Sequence, residues 1–191
     1  MTLREKCFSQ AGMERNMSKH CIQLYEGNGK GKTTAAVGAA VRMAGSGGKV
    51  LFCQFLKSGT SAELSVLRQI PQIQVLEVTK SFGFTFRMTE EVKREAADFY
   101  RNYFKEAVRI AVEQQMQMLV LDEFVDACVL GFLDTDEALA SLEMLREYCE
   151  VILTGHNPTE EITNIADYHT FFEMKKHPYQ EGLAARSGIE F

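Results

Sequence analysis

The run Gly27-Asn28-Gly29-Lys30-Gly31-Lys32-Thr33-Thr34 constrains this chain more than any other stretch. It has the form Gly-x-x-x-Gly-Lys-Thr, one residue shorter than the usual phosphate-binding loop, Gly-x-x-x-x-Gly-Lys-[Ser/Thr]. Such a loop wraps backbone N–H groups around phosphate oxygens. Its glycines let the main chain approach closely and take positive φ. Lys32 supplies a cation, and Thr33 a hydroxyl able to hold Mg²⁺. The flanks agree with this reading rather than with a Gly/Lys-rich surface turn. Cys21–Tyr25 reads as a short strand and Ala35–Ala44 as a helix, so a helix N-terminus points at the anion.

The rest of the chain repeats that strand-then-helix alternation. Lys49–Leu56 is a continuous apolar run of strand length, entered through Gly45, Gly47 and Gly48. Ala62–Gln69 reads as a short helix closed off by Pro71, and Ile73–Val78 alternates like a third strand. Thr89–Glu113 gives the clearest helix: Val92, Ala96, Phe99, Tyr103, Ala107 and Ile110 form one apolar stripe. Glu90 and Glu91 fall in its first turn, where the helix dipole favours them. Met118–Leu121 is a buried strand ending in Asp122-Glu123, and Asp134 with Glu137 forms a capping pair for the next helix. Val151–Thr154 is another strand. Asn157-Pro158-Thr159-Glu160 then reads as N-cap, first-turn proline and acid. A last strand lies near Tyr168–Met174. The expected fold is α/β, a mostly parallel sheet with helices on both faces. In such sheets ligands bind at the carboxyl ends of strands. The loop, Gln54, Asp122-Glu123 and Gly155-His156 all follow strands and should share one edge.

Charge and composition narrow the partners. A net charge of −5 argues against broad nucleic-acid binding, which needs a basic face. No apolar run approaches membrane-spanning length. Residues 1–19 include Glu5 and Glu14 and lack an apolar core, so a secretory signal is not expected. The five cysteines, Cys7, Cys21, Cys53, Cys128 and Cys149, are odd in number and form no Cys-x-x-Cys pair. Reduced thiols and a cytoplasmic location are the expectation.

Three further groups carry chemistry. Leu119–Glu123 resembles a strand whose terminal carboxylates, Asp122 and Glu123, hold Mg²⁺ directly or through water, with Thr33 as a third ligand; alone, the same residues would suit a solvated turn. Gly83-Phe84-Thr85-Phe86 is either a loop pinned to the core by its aromatics or an apolar platform for a large flat ligand. The histidines show no zinc spacing. His177, before Pro178, reads as structural or exposed, and His156 as a phosphate contact or a satisfied loop residue.

In order, Gly27–Thr34, Ala35-Ala36, Arg42, Gln54–Lys57, Gly83-Phe84-Thr85, Leu121-Asp122-Glu123, Thr154-Gly155, Ala166-Asp167, Lys176-His177-Pro178 and Gly188–Phe191 resemble the P-loop ATP:corrinoid adenosyltransferases, also called cob(I)alamin or cob(I)yrinic acid a,c-diamide adenosyltransferases. The resemblance runs from about Cys21 to the C-terminus. It implies a RecA-like fold, with residues 20–191 as one domain and residues 1–19 as a poorly matched segment. It also implies transfer of the 5′-deoxyadenosyl group of ATP to Co(I) of a corrinoid, with triphosphate leaving. By this resemblance, Gly27, Asn28, Gly29, Lys30, Gly31, Lys32, Thr33, Thr34 and Arg42 bind nucleotide, and Lys32 and Glu123 are catalytic. Thr33, Asp122 and Glu123 hold Mg²⁺, and Gly83, Phe84, Thr85 and Phe86 meet the corrinoid. A separate flavoprotein reductant and a homodimer are further implications; nucleic acid and membrane are not expected partners. Three positions depart from the family pattern: Phe86 stands where Trp is frequent, His156 where many members have Arg, and Ala184 where Lys is common. A small-molecule or nucleoside kinase and a non-catalytic nucleotide- or corrinoid-binding module are the alternatives.

Overall fold

A computed structural model describes residues 20–83 and 87–189. The elements run β1 Ile22–Glu26, α1 Lys32–Gly45, β2 Val50–Gln54, α2 Ala62–Leu67, β3 Ile73–Val75, α3 Glu90–Glu113, β4 Met118–Asp122, α4 Phe124–Val129, α5 Thr135–Leu145, β5 Glu150–Gly155, α6 Glu160–Ile165 and β6 Tyr168–Phe171. A 3₁₀ turn, Pro178–Glu181, lies in the tail. The six strands form one sheet in the order β3-β2-β4-β5-β1-β6, with every pairing parallel. The α/β expectation holds.

The two faces of the sheet are built from alternate residues of the same strands. Val50, Phe52, Val120 and Ile152 point to one side and pack with Ala36, Ala40 and Ala44 of α1 and Leu64 and Leu67 of α2. The alanines recur every four residues, a flat stripe that lets α1 lie close against the sheet. Leu51, Cys53, Leu119, Leu121, Val151 and Leu153 point to the other side, under α3 and α5. Both faces are covered, so the central strands are buried throughout, as their continuous apolar runs require.

The α3 stripe holds, with a shift in weight: Ala96, Tyr100, Tyr103, Phe104, Ala107, Ile110 and Ala111 are the buried positions. Thr89 caps the helix by accepting from Val92 N. Asp134 likewise accepts from Glu137 N at 2.9 Å, as its spacing predicts. Tyr103 Oη donates to Leu76 O at 2.9 Å and accepts from Gln54 N at 3.3 Å, which ties α3 to the tip of β2. Phe82 packs edge-on against Phe99 of α3 at 5.5 Å. The first phenylalanine of the aromatic stretch is therefore a core anchor, and Gly83 beyond it turns the chain with φ 73°. Phe84, Thr85 and Phe86 lie outside the described residues, as do Cys7, Glu190 and Phe191.

One local expectation needs correction. Asn157 does not cap α6. It takes the left-handed conformation, φ 49°, and the helix starts at Glu160 with Thr159 as the flanking residue. Pro158 and Thr159 therefore extend the link from β5 instead of opening the helix. The helix α4 was not expected; it begins directly after the Asp122-Glu123 pair.

Candidate active site

The parallel register brings the strand tips together. Gln54 at the end of β2 lies opposite Asp122 of β4, and Glu26 of β1 opposite Gly155 of β5. Three non-glycine residues just past these tips have left-handed backbone: Leu56 at φ 57°, Glu123 at φ 60° and Asn157 at φ 49°. Each costs on the order of 1 kcal/mol or more, and such costs concentrate where a site fixes the chain.

The loop leaves β1 at Gly27 and enters α1 at Lys32. Gly31 precedes the helix at φ 123°, and no acid stands in the first turn of α1. The first-turn amides have no partner within the helix, which favours an anion there. Lys32 is 8% exposed. Its Nζ donates to Gly27 O at 2.7 Å and Gly29 O at 3.1 Å, which centres the ammonium in the loop. Burial lowers its pKa, while Glu123, Asp126, Asp122 and Glu26 act to raise it.

Asp122 is fully buried at the β4 tip and fully engaged. Its Oδ1 accepts from Thr33 Oγ1 at 2.8 Å and from Thr154 Oγ1 at 2.7 Å. Its Oδ2 accepts from Lys57 Nζ at 2.6 Å and Gln54 Nε2 at 3.2 Å. Thr154 Oγ1 accepts in turn from Glu123 N at 2.9 Å, which helps hold Glu123 in its unusual conformation. Burial, then the charges of Asp122 and Asp126 and a hydrogen bond with Asp126, push Glu123 up to about 7, against the pull of Lys57. Lys57 is itself raised: burial lowers it, but the charge and hydrogen bond of Asp122, then Glu123 and Glu63, outweigh that. Beyond Glu123, Asp126 accepts from His156 N at 3.0 Å and pairs with His156 Nδ1 at 3.0 Å. That hydrogen bond is the main cause raising His156.

The residues fit a hard cation. Thr33 Oγ1 and the Glu123 carboxylate offer the oxygen ligands such an ion takes, with Asp122, whose oxygens already accept four hydrogen bonds, placed to act through Thr33 or a water. A cationic group is already held between two of them, since Lys57 Nζ also lies 3.4 Å from Thr33 Oγ1.

The edge thus unites Lys32, Thr33, Asp122 and Glu123 as their sequence positions imply. A cavity of about 300 Å³ opens over residues 28–34 and Glu123. Arg42 does not join them. It stands in the last turn of α1, roughly 15 Å along the axis from Lys32, where a cation complements the helix dipole. Asp167 also lies elsewhere, at the amino end of the sheet, where it accepts from Ile22 N at 2.8 Å.

Two loop residues that line this cavity also hold a neighbouring stretch of chain. Gly29 N donates to Phe172 O at 2.7 Å, so that amide faces the chain after β6. Asn28 Oδ1 accepts from Met174 N at 2.9 Å. A Cβ on Gly27 or Gly29 would lie 2.5 Å or 2.7 Å from Phe172 O. These glycines are required by the neighbouring chain. Sequence reasoning also missed Thr154 and Lys57 as partners of Asp122. The available signal was their place at or just beyond strand ends, next to Gly155 and Ser58.

A pre-shaped anion loop beside a buried carboxylate and a cation position defines a nucleotide-binding protein of the phosphate-loop class. Comparison with known sequences narrows this. The family model for ATP:corrinoid adenosyltransferase BtuR/CobO/CobP matches residues 18–191. A corrinoid adenosyltransferase of Pseudomonas aeruginosa is 31% identical over 188 residues, covering 96% of this chain and 87% of the relative. That of Escherichia coli K12 is 32% identical over 185 residues, covering 96% and 89%. The corrinoid adenosyltransferase CobA of Salmonella typhimurium is 31% identical over 185 residues, with the same coverage. The chain belongs to the ATP:corrinoid adenosyltransferase family.

Proposed function

We infer that this chain is an ATP:corrinoid adenosyltransferase of cobalamin biosynthesis, transferring the 5′-deoxyadenosyl group of ATP to a reduced corrinoid substrate. The carrying observation is that a family match spanning residues 18–191 falls on a chain whose phosphate loop, Asp122 and Glu123 meet at one edge. In the reaction, the Co(I) electron pair of the substrate forms the Co–C5′ bond. The C5′–O5′ bond breaks, and its electrons leave with triphosphate. Negative charge therefore grows on the phosphate chain, where preorganised donors stabilise it most.

In this proposal the amides of residues 30–34 and the ammonium of Lys32 hold the triphosphate. Lys30, exposed at the loop's rim, adds a second cation. Thr33 and Glu123, with Asp122 acting through Thr33 or a water, would hold Mg²⁺, which supplies charge neutralisation to the phosphates when bound. Gly83, Phe84, Thr85 and Phe86 are the proposed corrinoid-binding residues, a role that rests on the residue types: phenylalanine has no polar atom and suits exclusion of water from a flat ligand. No activated side-chain nucleophile is needed, because the substrate metal is the nucleophile. The proposal extends to a separate flavoprotein reductant, a homodimer and a cytoplasmic setting. No helix among the described residues is long and apolar enough to cross a membrane.

The test is incubation with Mg·ATP and chemically reduced cobalamin, following Co–C bond formation by absorbance and the phosphate product in the same tube. Adenosyl-corrinoid with triphosphate in equal amounts is expected. ADP as the product would replace this reading with a kinase.

A further inference from the structure

The chain beyond β6 folds back across the phosphate loop. Phe172 N donates to Glu26 O at 2.7 Å, Gly29 N to Phe172 O at 2.7 Å, and Met174 N to Asn28 Oδ1 at 2.9 Å. These bonds fasten the segment to the loop on both sides of Gly27. The fit leaves no room for side chains: added Cβ atoms would meet Phe172 O at 2.5 Å and 2.7 Å from Gly27 and Gly29. One at Gly31 would lie 3.3 Å from the Phe172 ring. So clamped, the chain carries His177 and Ile189 to the cavity over the loop, where both form part of the wall with Lys32 and Glu123.

The half-buried imidazole of His177 has a defined role for one nitrogen. Tyr179 N donates to Nδ1 at 3.2 Å. In the neutral ring an accepting Nδ1 leaves the proton on Nε2. The ring therefore has an N–H to offer to the cavity it lines, opposite a loop built for anions.

We propose that the clamped tail is a structural wall of the phosphate site and that His177 is a further binding residue, donating from Nε2 to the departing triphosphate. This rests on the adenosyltransferase reading and names a group of this chain that reads the leaving group. A donor to a charged oxygen is stronger than a neutral hydrogen bond, so its loss should weaken binding about tenfold.

The experiment measures binding of inorganic tripolyphosphate with Mg²⁺ to the full chain by calorimetry, alongside kcat and KM for ATP. Three variants separate the roles. His177→Asn keeps an acceptor for Tyr179 N but removes the outward donor. His177→Gln carries a donor at the Nε2 position, and His177→Ala has neither. The Asn and Ala variants are expected to lose about tenfold in tripolyphosphate affinity and in kcat. Gln should restore most of the affinity. Tripolyphosphate should protect Lys175 and Lys176 of the wild-type tail from trypsin, and protect the Ala variant less. Wild-type affinity in both Asn and Ala would overturn the proposal. Equal loss in all three variants would also overturn it, by reducing His177 to a packing residue. Failure of the parent reading looks different: wild type would not bind tripolyphosphate, or would release ADP from ATP.

Discussion

Glu123→Gln should make the metal- and nucleotide-free protein more stable while removing its activity. Burial, reinforced by Asp122 and Asp126, raises the Glu123 carboxyl from 4.5 to about 7. The folded chain therefore keeps this proton over a pH range in which the unfolded chain has lost it. The stability linked to the group is fully present below 4.5 and is lost as pH rises through about 7. At ~1.4 kcal/mol per unit, the shift corresponds to about 3 kcal/mol. For a chain of this size that is roughly 6–12 °C in Tm. Glutamine keeps the shape, can still donate to Asp126, and never ionises. Urea unfolding followed by circular dichroism at pH 5 and pH 8, with chelator present, measures the difference. Variant and wild type should differ little at pH 5, and the variant should be more stable by about 3 kcal/mol at pH 8. The same stability difference at both pH values would refute the argument, because it would show that ionisation of Glu123 is not what strains the site. Loss of turnover alongside the gain fits a carboxylate kept for function at a cost in stability.

Two other substitutions probe the loop and the sheet edge. Lys32→Ala removes the ammonium that Gly27 O and Gly29 O hold at the centre of the loop. Steady-state assays should show kcat down on the order of 100-fold or more, and an unchanged rate would remove the loop from the mechanism. Gly155→Ala places a methyl 2.4 Å from Asp126 Oδ2 and 2.6 Å from Val125 Cβ, at φ 153°. The methyl overpacks the tip of β5, which should lower stability by about 2 kcal/mol and weaken the Asp126–His156 pair, read from the urea midpoint and from the His156 titration by NMR.

What the sequence reveals here is what local periodicity encodes. The apolar runs that become β2, β4 and β5 are legible because both faces of these strands are buried, and α3 because its stripe repeats every three or four residues. The shared edge is legible too, since a parallel sheet puts every strand's carboxyl end on one side. Asn157 is misread because a cap motif is judged by residue types, whereas its backbone is set by the route the chain takes out of β5. Lys57 and Thr154 are missed because their partnership with Asp122 depends on β4 lying between β2 and β5, an order that no window of sequence contains. The loop glycines are the instructive case. Read alone, Gly27 and Gly29 serve a phosphate. In the fold, both face Phe172 O from a segment more than a hundred residues away. Because β6 pairs with β1, the chain leaving β6 must run beside the loop that leaves β1. The glycine spacing of this shortened loop therefore answers to two neighbours at once, the anion in front and the tail behind. An Ala at position 29 would then be felt first as a displaced tail, and only through that displacement as weaker nucleotide binding.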